Sequence, residues 1–295
     1  MKKSETKKCH FVPGKYLKNF AINRNDDFYI NMLNKKEHSD KISESNISDI
    51  CTENHLLKLD GNDKSKQNLE DIYSDIFENQ YDILFSVLTD NAVLEITDEI
   101  KKLIVSAVIT MFYKTKKWSD LLGYHADENI IKIDQLRNQF KVDHYFNSKG
   151  AQVGFQNRTL EELEISHKSI TRIPLIITQL KVALKLIEAK QFDCINVYKI
   201  ADESEFITSD NPVLAINMHK MRTMHFDIEN AYYMPISNKY LIAIFPKEEL
   251  PPQNKIIRLM INKEWVDSFN AMQLFHSDWF IIGSAAAIKN TMGIQ

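Results

Sequence analysis

Cysteine, glycine and long apolar runs are all scarce in this chain, and each scarcity removes a class of protein. Its three cysteines, Cys9, Cys51 and Cys194, lie far apart and form no CxxC pair. That argues against a disulfide framework and a structural zinc site, and points to a reducing compartment. The seven glycines are scattered, so no phosphate-cradling loop for ATP or a dinucleotide is expected. No Gly-x-Ser-x-Gly occurs, which removes the usual serine-hydrolase elbow. The most apolar stretch, residues 103–113, is about half the length of a membrane span. No apolar run follows the charged residues 1–8, so neither a signal peptide nor a membrane contact is expected, and the protein reads as cytoplasmic. A charge bias is missing too: 37 basic side chains face 40 acidic ones for a net charge of -3. Nucleic acid, if it is a partner, has to be met through a local basic patch.

What is present suffices for a folded protein. With 295 residues and 44% hydrophobic content, the chain can bury one large core or two modest ones. The pattern predicts an α+β fold in a single domain, 1–295: a helical N-terminal part over about 60–190, packed on a mostly antiparallel sheet over about 191–295, with residues 1–35 packed on that sheet. Pro13 opens a short helix with Leu17, Phe20 and Ala21 on one face. Residues 27–33 read as a strand and the polar residues 34–50 as loop. Apolar positions recur at three and four over 67–88 and again over 100–112, the latter ending in Lys114, Lys116 and Lys117. A third helix is expected over 128–142. Thr159 to Glu162 is a capping-box pattern for a long helix that Pro174 should kink or break before it resumes to Lys190. From 192 onward the period shortens, giving five or six antiparallel strands. Asn262 then caps a helix to about His276, and residues 278–283 form a final strand.

The residues with chemical promise are few. Thr208, Ser209, Asp210, Asn211 and Pro212 follow a short apolar run, which predicts a buried strand delivering small polar groups into a fixed turn. In the plainer reading, Asp210 and Asn211 simply satisfy their own backbone there. His10 precedes the first helix, as a general base or metal ligand, or as a hydrogen-bonding group of that helix. Glu70 and Glu78 lie two turns apart on a helix, where a solvated face is the ordinary explanation. Lys114 and Lys117 can offset phosphate charge, or can simply suit a helix C-terminus. His219 and His225, with Lys220 and Arg222 between them, sit in an expected hairpin loop that could touch an anionic ligand or be merely solvated.

Taken together, these stretches resemble a bacterial family known only as a domain of unknown function. The resemblance rests on a His-x-Val-Pro-x-x-Tyr-Leu-x-x-Phe signature (His10, Val12, Pro13, Tyr16, Leu17, Phe20), a paired-Glu helix and a Phe-x-Thr-Ser-Asp-Asn-Pro turn. It continues with Pro235-Ile236-Ser237, an Asn near Asn270 and a terminal apolar strand. It spans nearly the whole chain and implies no activity. Where the family tends to carry Gln and Arg, this sequence has Met111 and Lys114; lysine keeps the charge but not the planar fork.

Two functions are expected from this reading. The first is an intracellular, nuclease-like hydrolase acting on phosphodiester bonds in bacterial stress or phage defence. His10, Ser209, Asp210 and Asn211 would be its catalytic groups, Lys114 and Lys117 its substrate contacts, and Glu78 a ligand to a divalent metal. The segment His10 to Pro13 is superficially like that of His-Asn-His nucleases, without their downstream Asn and His. The second is a non-enzymatic binding or regulatory module in which the same motifs lock helices against the sheet. A protein partner or a homo-oligomer fits either.

Overall fold

The computed structural model describes residues 8–37, 40–54, 80–140, 146–148, 151–153, 159–217, 227–246 and 254–294. These form two compact units, Met1–Lys116 with Val182–Gln295, and Lys117–Lys181.

In the first unit the N-terminal part supplies β1 (Lys8–His10), α1 (Gly14–Lys18), β2 (Ile22–Arg24), β3 (Asp27–Asn34), β4 (Ile42–Asn46) and β5 (Thr52–Asn54), then α2 (Tyr81–Thr89) and α3 (Asp98–Lys114). Thr97 caps α3, its hydroxyl accepting the N–H of Ile100. Buried side chains run almost unbroken along α3 from Ile104 to Lys114, so this helix is surrounded rather than amphipathic. The second unit holds most of α4 (Lys116–Phe140), the hairpin β6 (Phe146–Ser148) and β7 (Ala151–Val153), and the start of α5 (Leu160–Lys190). The capping box is formed: the Thr159 N–H donates to Glu162 Oε2 at 2.9 Å, and the Glu162 N–H to Thr159 Oγ1 at 3.2 Å.

Two expectations change here. Helical backbone runs unbroken through Pro174, so 160–190 is one helix and not two; a single lost backbone bond does not outweigh the remaining turns. The third helix begins at Lys116 rather than near residue 128.

Back in the first unit follow β8 (Cys194–Ile200), β9 (Thr208–Ser209), β10 (Leu214–Asn217), β11 (Asn230–Pro235), β12 (Tyr240–Phe245), β13 (Ile256–Ile261), α6 (Lys263–His276), β14 (Phe280–Gly283) and α7 (Ala285–Met292). The strands make two principal sheets instead of one. The first has the order β10-β11-β12-β8-β13, antiparallel except that β13 runs parallel to β8. The second joins the two ends of the chain in the order β2-β3-β14-β9, with β4 on β3. Residues 34–50 are therefore not all loop, and His10 ends a strand paired with β5 rather than standing in a loop. Tyr198, Phe206, Leu214, Val266 and Phe269 form one core between the first sheet and α6. Leu33, Ile207, Ile281 and Ile288 form a second, under the second sheet. Gly283 allows the close approach: a Cβ there would stand 3.2 Å from Ile207 Cγ2 and 3.5 Å from Ile207 Cα.

Candidate functional site

The segment 205–211 crosses between the two cores, and α6 holds it by side chains one turn apart. Asn270 treats the passing backbone as a neighbouring strand would: its Oδ1 accepts the N–H of Ile207 at 3.0 Å, and its Nδ2 donates to Glu205 O at 2.9 Å. Gln273 Nε2 donates to Ser209 Oγ at 2.6 Å and to Asn211 O at 2.8 Å. Thr208, Ser209, Asp210 and Asn211 are all buried, so these bonds form away from competing water and losing one is costly.

Asp210 faces the turn between α6 and β14. Its Oδ1 accepts the backbone N–H groups of Asp278 and Phe280, each at 3.2 Å, and its Oδ2 that of Trp279 at 3.1 Å. Burial raises its carboxyl above the ordinary range, the three N–H donors pull it partly back, and Asp278 pushes it up again. Asn211 Nδ2 donates to Asp278 Oδ2 at 3.1 Å, and Ser209 Oγ accepts the Asn211 N–H at 2.9 Å. Two acceptors in this cluster, Asn211 Oδ1 and Gln273 Oε1, are buried with no donor among the described residues.

The N-terminal signature meets this turn from the other side. The Tyr16 hydroxyl and Thr208 Oγ1 are 2.5 Å apart, both residues fully buried although 192 positions separate them in sequence. Burial drives the Tyr16 phenol far above its usual range. The N–H of Phe11 donates to Cys51 O at 2.9 Å, and Cys51 has a left-handed φ of 51°, a conformation a residue with a Cβ adopts only under constraint. Burial pushes its thiol up, and the Asp210 carboxylate adds to the rise. The Phe11 ring packs edge-on against Trp279, centroids 6.3 Å apart. Trp279 is half-buried, with Lys36 Nζ at 3.7 Å and Lys116 Nζ at 5.1 Å from its ring centre.

Among the sequence candidates, Ser209, Asp210 and Asn211 stand together. His10 pairs in register with Thr52; Phe11 follows it along the chain, and Cys51 precedes its partner on the other strand. Lys114 is buried at the end of α3, and Lys117 belongs to the second unit. Glu70 and Glu78, and the loop bearing His219 and His225, lie outside the described residues. Among the described residues, no three His, Cys, Asp or Glu side chains gather as a metal site would need. Sequence reasoning missed Cys51, Gln273 and Trp279 as parts of this cluster, and Tyr16 was visible only as part of the family signature. Asn270 was visible only through the family resemblance.

Fold and site thus define an α+β protein whose two chain ends share one sheet and one buried polar turn. A family model described as "Protein of unknown function (DUF4238)" matches residues 8–287, and the chain belongs to that family. No curated protein and no solved structure matches it.

Proposed function

We propose that the chain is a cytoplasmic binding or regulatory module, in which the His-Pro and Ser-Asp-Asn-Pro motifs are structural and hold a recognition surface in place. The observation that carries this reading is the state of Asp210. It is 4% exposed, with both carboxylate oxygens engaged by the N–H groups of residues 278–280. A carboxylate so occupied is a poor base and a poor metal ligand, because proton transfer or coordination would first have to break those bonds. Two described cysteines, Cys51 and Cys194, are buried unbonded thiols, in keeping with a reducing compartment. No described helix is long and apolar enough to cross a membrane.

The nuclease-like hydrolase is a second reading, and the buried acceptors Asn211 Oδ1 and Gln273 Oε1 favour it, since orphaned polar atoms mark places where a ligand has work to do. In that reading His10 acts as base, Glu78 with a divalent metal completes the centre, and Lys114 and Lys117 meet the phosphodiester. Separate substitutions Asp210→Ala, Asn211→Ala and His10→Ala decide between the readings. A module loses melting temperature in step with function. A hydrolase loses nuclease activity or cellular toxicity with its melting temperature kept.

A further inference from the structure

We propose that β13 is a dimer edge: two copies of this chain pair their β13 strands antiparallel about a two-fold axis at Met260, joining their first sheets into one. β13 closes one side of that sheet, and every second residue of it turns its backbone groups inward to the parallel ladder with β8. Ile261 belongs to that inward set, its C=O accepting the Ala201 N–H at 2.9 Å. Asn254 and Ile256 turn outward, where Asn254 O accepts the Ile96 N–H at 2.9 Å and the Ile256 N–H donates to Leu94 O at 3.0 Å. Arg258 and Met260 continue the outward set by the alternation of a strand, and among the described residues no backbone group meets theirs. Such an edge is ordinarily guarded by lysine, proline or a bulge. Ile256–Ile261 has no proline, and its one charged side chain, Arg258, is turned onto the carbonyls of Asp90 at 2.7 Å and Val93 at 2.5 Å. What the edge exposes is apolar: Leu259 by 42%, Met260 by 63% and the neighbouring Leu94 by 66%. The opposite edge strand, β10, buries Leu214, Ala215 and Asn217.

The occupant follows from the length of the free edge. Residues 94–96 occupy it before Arg258, and α6 departs after Asn262. A long strand from another protein would run into Leu94, whereas a second copy ends where the edge does. With the axis at Met260, each Met260 N–H donates to the partner's Met260 C=O, Leu259 lies opposite the partner's Ile261, and Arg258 faces the partner's Asn262. The residue after that asparagine already belongs to α6 and leaves the edge before it reaches Ile256. An axis at Leu259 would instead set the partner's Asn262 against Ile256, whose N–H is already held by Leu94 O. The chosen register also brings no like charges face to face, since Arg258 meets an amide, and it covers Met260 with its own counterpart.

The test is sedimentation velocity of the full chain over a range of concentrations. The wild type is expected to move toward twice the 34.4 kDa of one chain as concentration rises. Met260→Lys sets two ammonium groups opposite one another at the axis and should weaken the dimer about tenfold or more, with its circular dichroism unchanged. Met260→Cys reads the register directly. Across a hydrogen-bonded pair the Cα atoms stand about 5.5 Å apart, within disulfide reach, so mild oxidation should link two chains. Leu259→Cys, whose counterpart lies diagonally at about 7–8 Å, should link far less. The wild type, with Cys9, Cys51 and Cys194, is the blank for both. A wild type that stays at the mass of one chain overturns the dimer and leaves the edge to a foreign strand. A dimer that Met260→Lys leaves intact is held elsewhere and overturns β13 as its interface. Linking through Leu259→Cys in preference to Met260→Cys, or through neither, overturns the register.

Discussion

Asp210 has the most to lose of any residue in the cluster, because one side chain serves three backbone donors. Asp210→Ala leaves those N–H groups to find water in a buried site and is expected to cost about 2–4 kcal/mol in urea unfolding. Asp210→Asn keeps the shape but presents one oxygen and an NH2 group to donors, so it should fall between alanine and the wild type. The pH dependence follows from the direction of the shift. Burial raises the folded carboxyl above its unfolded value, so its contribution is full below the unfolded pKa of about 3.9 and declines as pH rises through the folded one. The stability gap between wild type and Asp210→Asn should therefore be wider at pH 3.5 than at pH 7, as paired urea titrations can show. At this scale the sequence was only partly legible. Thr208 to Pro212 announced a fixed turn by its residue types, whereas Tyr16 and Gln273 look like ordinary helix residues until the fold sets them opposite Thr208 and Ser209.

Elements were legible where the local signal was strong. Asn262 caps α6, its side chain accepting the Trp265 N–H, and the helix ends at His276 as its apolar spacing indicates. By contrast, β4, Ile-Ser-Glu-Ser-Asn, has no apolar alternation and becomes a strand only because β3 offers it a backbone ladder. Helix α7, begun by Ser284, was hidden behind a short run of alanines. Its cap is also linked to the central segment, since the Ser284 hydroxyl donates to Glu205 Oε2.

The junction of α5 and β8 supplies a prediction of its own. Lys190 is buried with its Nζ donating to Asp193 Oδ2 at 2.7 Å and to Ile228 O at 2.8 Å, which ties the end of α5 to the residues leading into β11. Lys190→Met removes the ammonium from a buried carboxylate and should cost about 3–5 kcal/mol, whereas Lys190→Met with Asp193→Leu should recover most of that loss. Thermal unfolding of the three proteins checks it. A double variant no more stable than the single one would mean that Ile228 O, rather than Asp193, sets the cost.

Across the whole molecule the fold is α+β, as expected, but five strands, β1 to β5, precede the long helices, and β8 to β14 follow them. The division into two sheets was not readable, because β3 and β14 are nearly 250 positions apart in sequence and no local pattern encodes their pairing. That pairing brings the N-terminal signature onto the Thr-Ser-Asp-Asn turn, and the proposed module depends on the two acting as one buried unit. The most direct measurement is a double-mutant cycle in urea with Tyr16→Phe, Thr208→Val and the pair. A coupling of about 1 kcal/mol or more is expected for a buried hydrogen bond between them. Additive losses, within about 0.5 kcal/mol, would contradict the account by showing that the two halves of the signature are energetically independent.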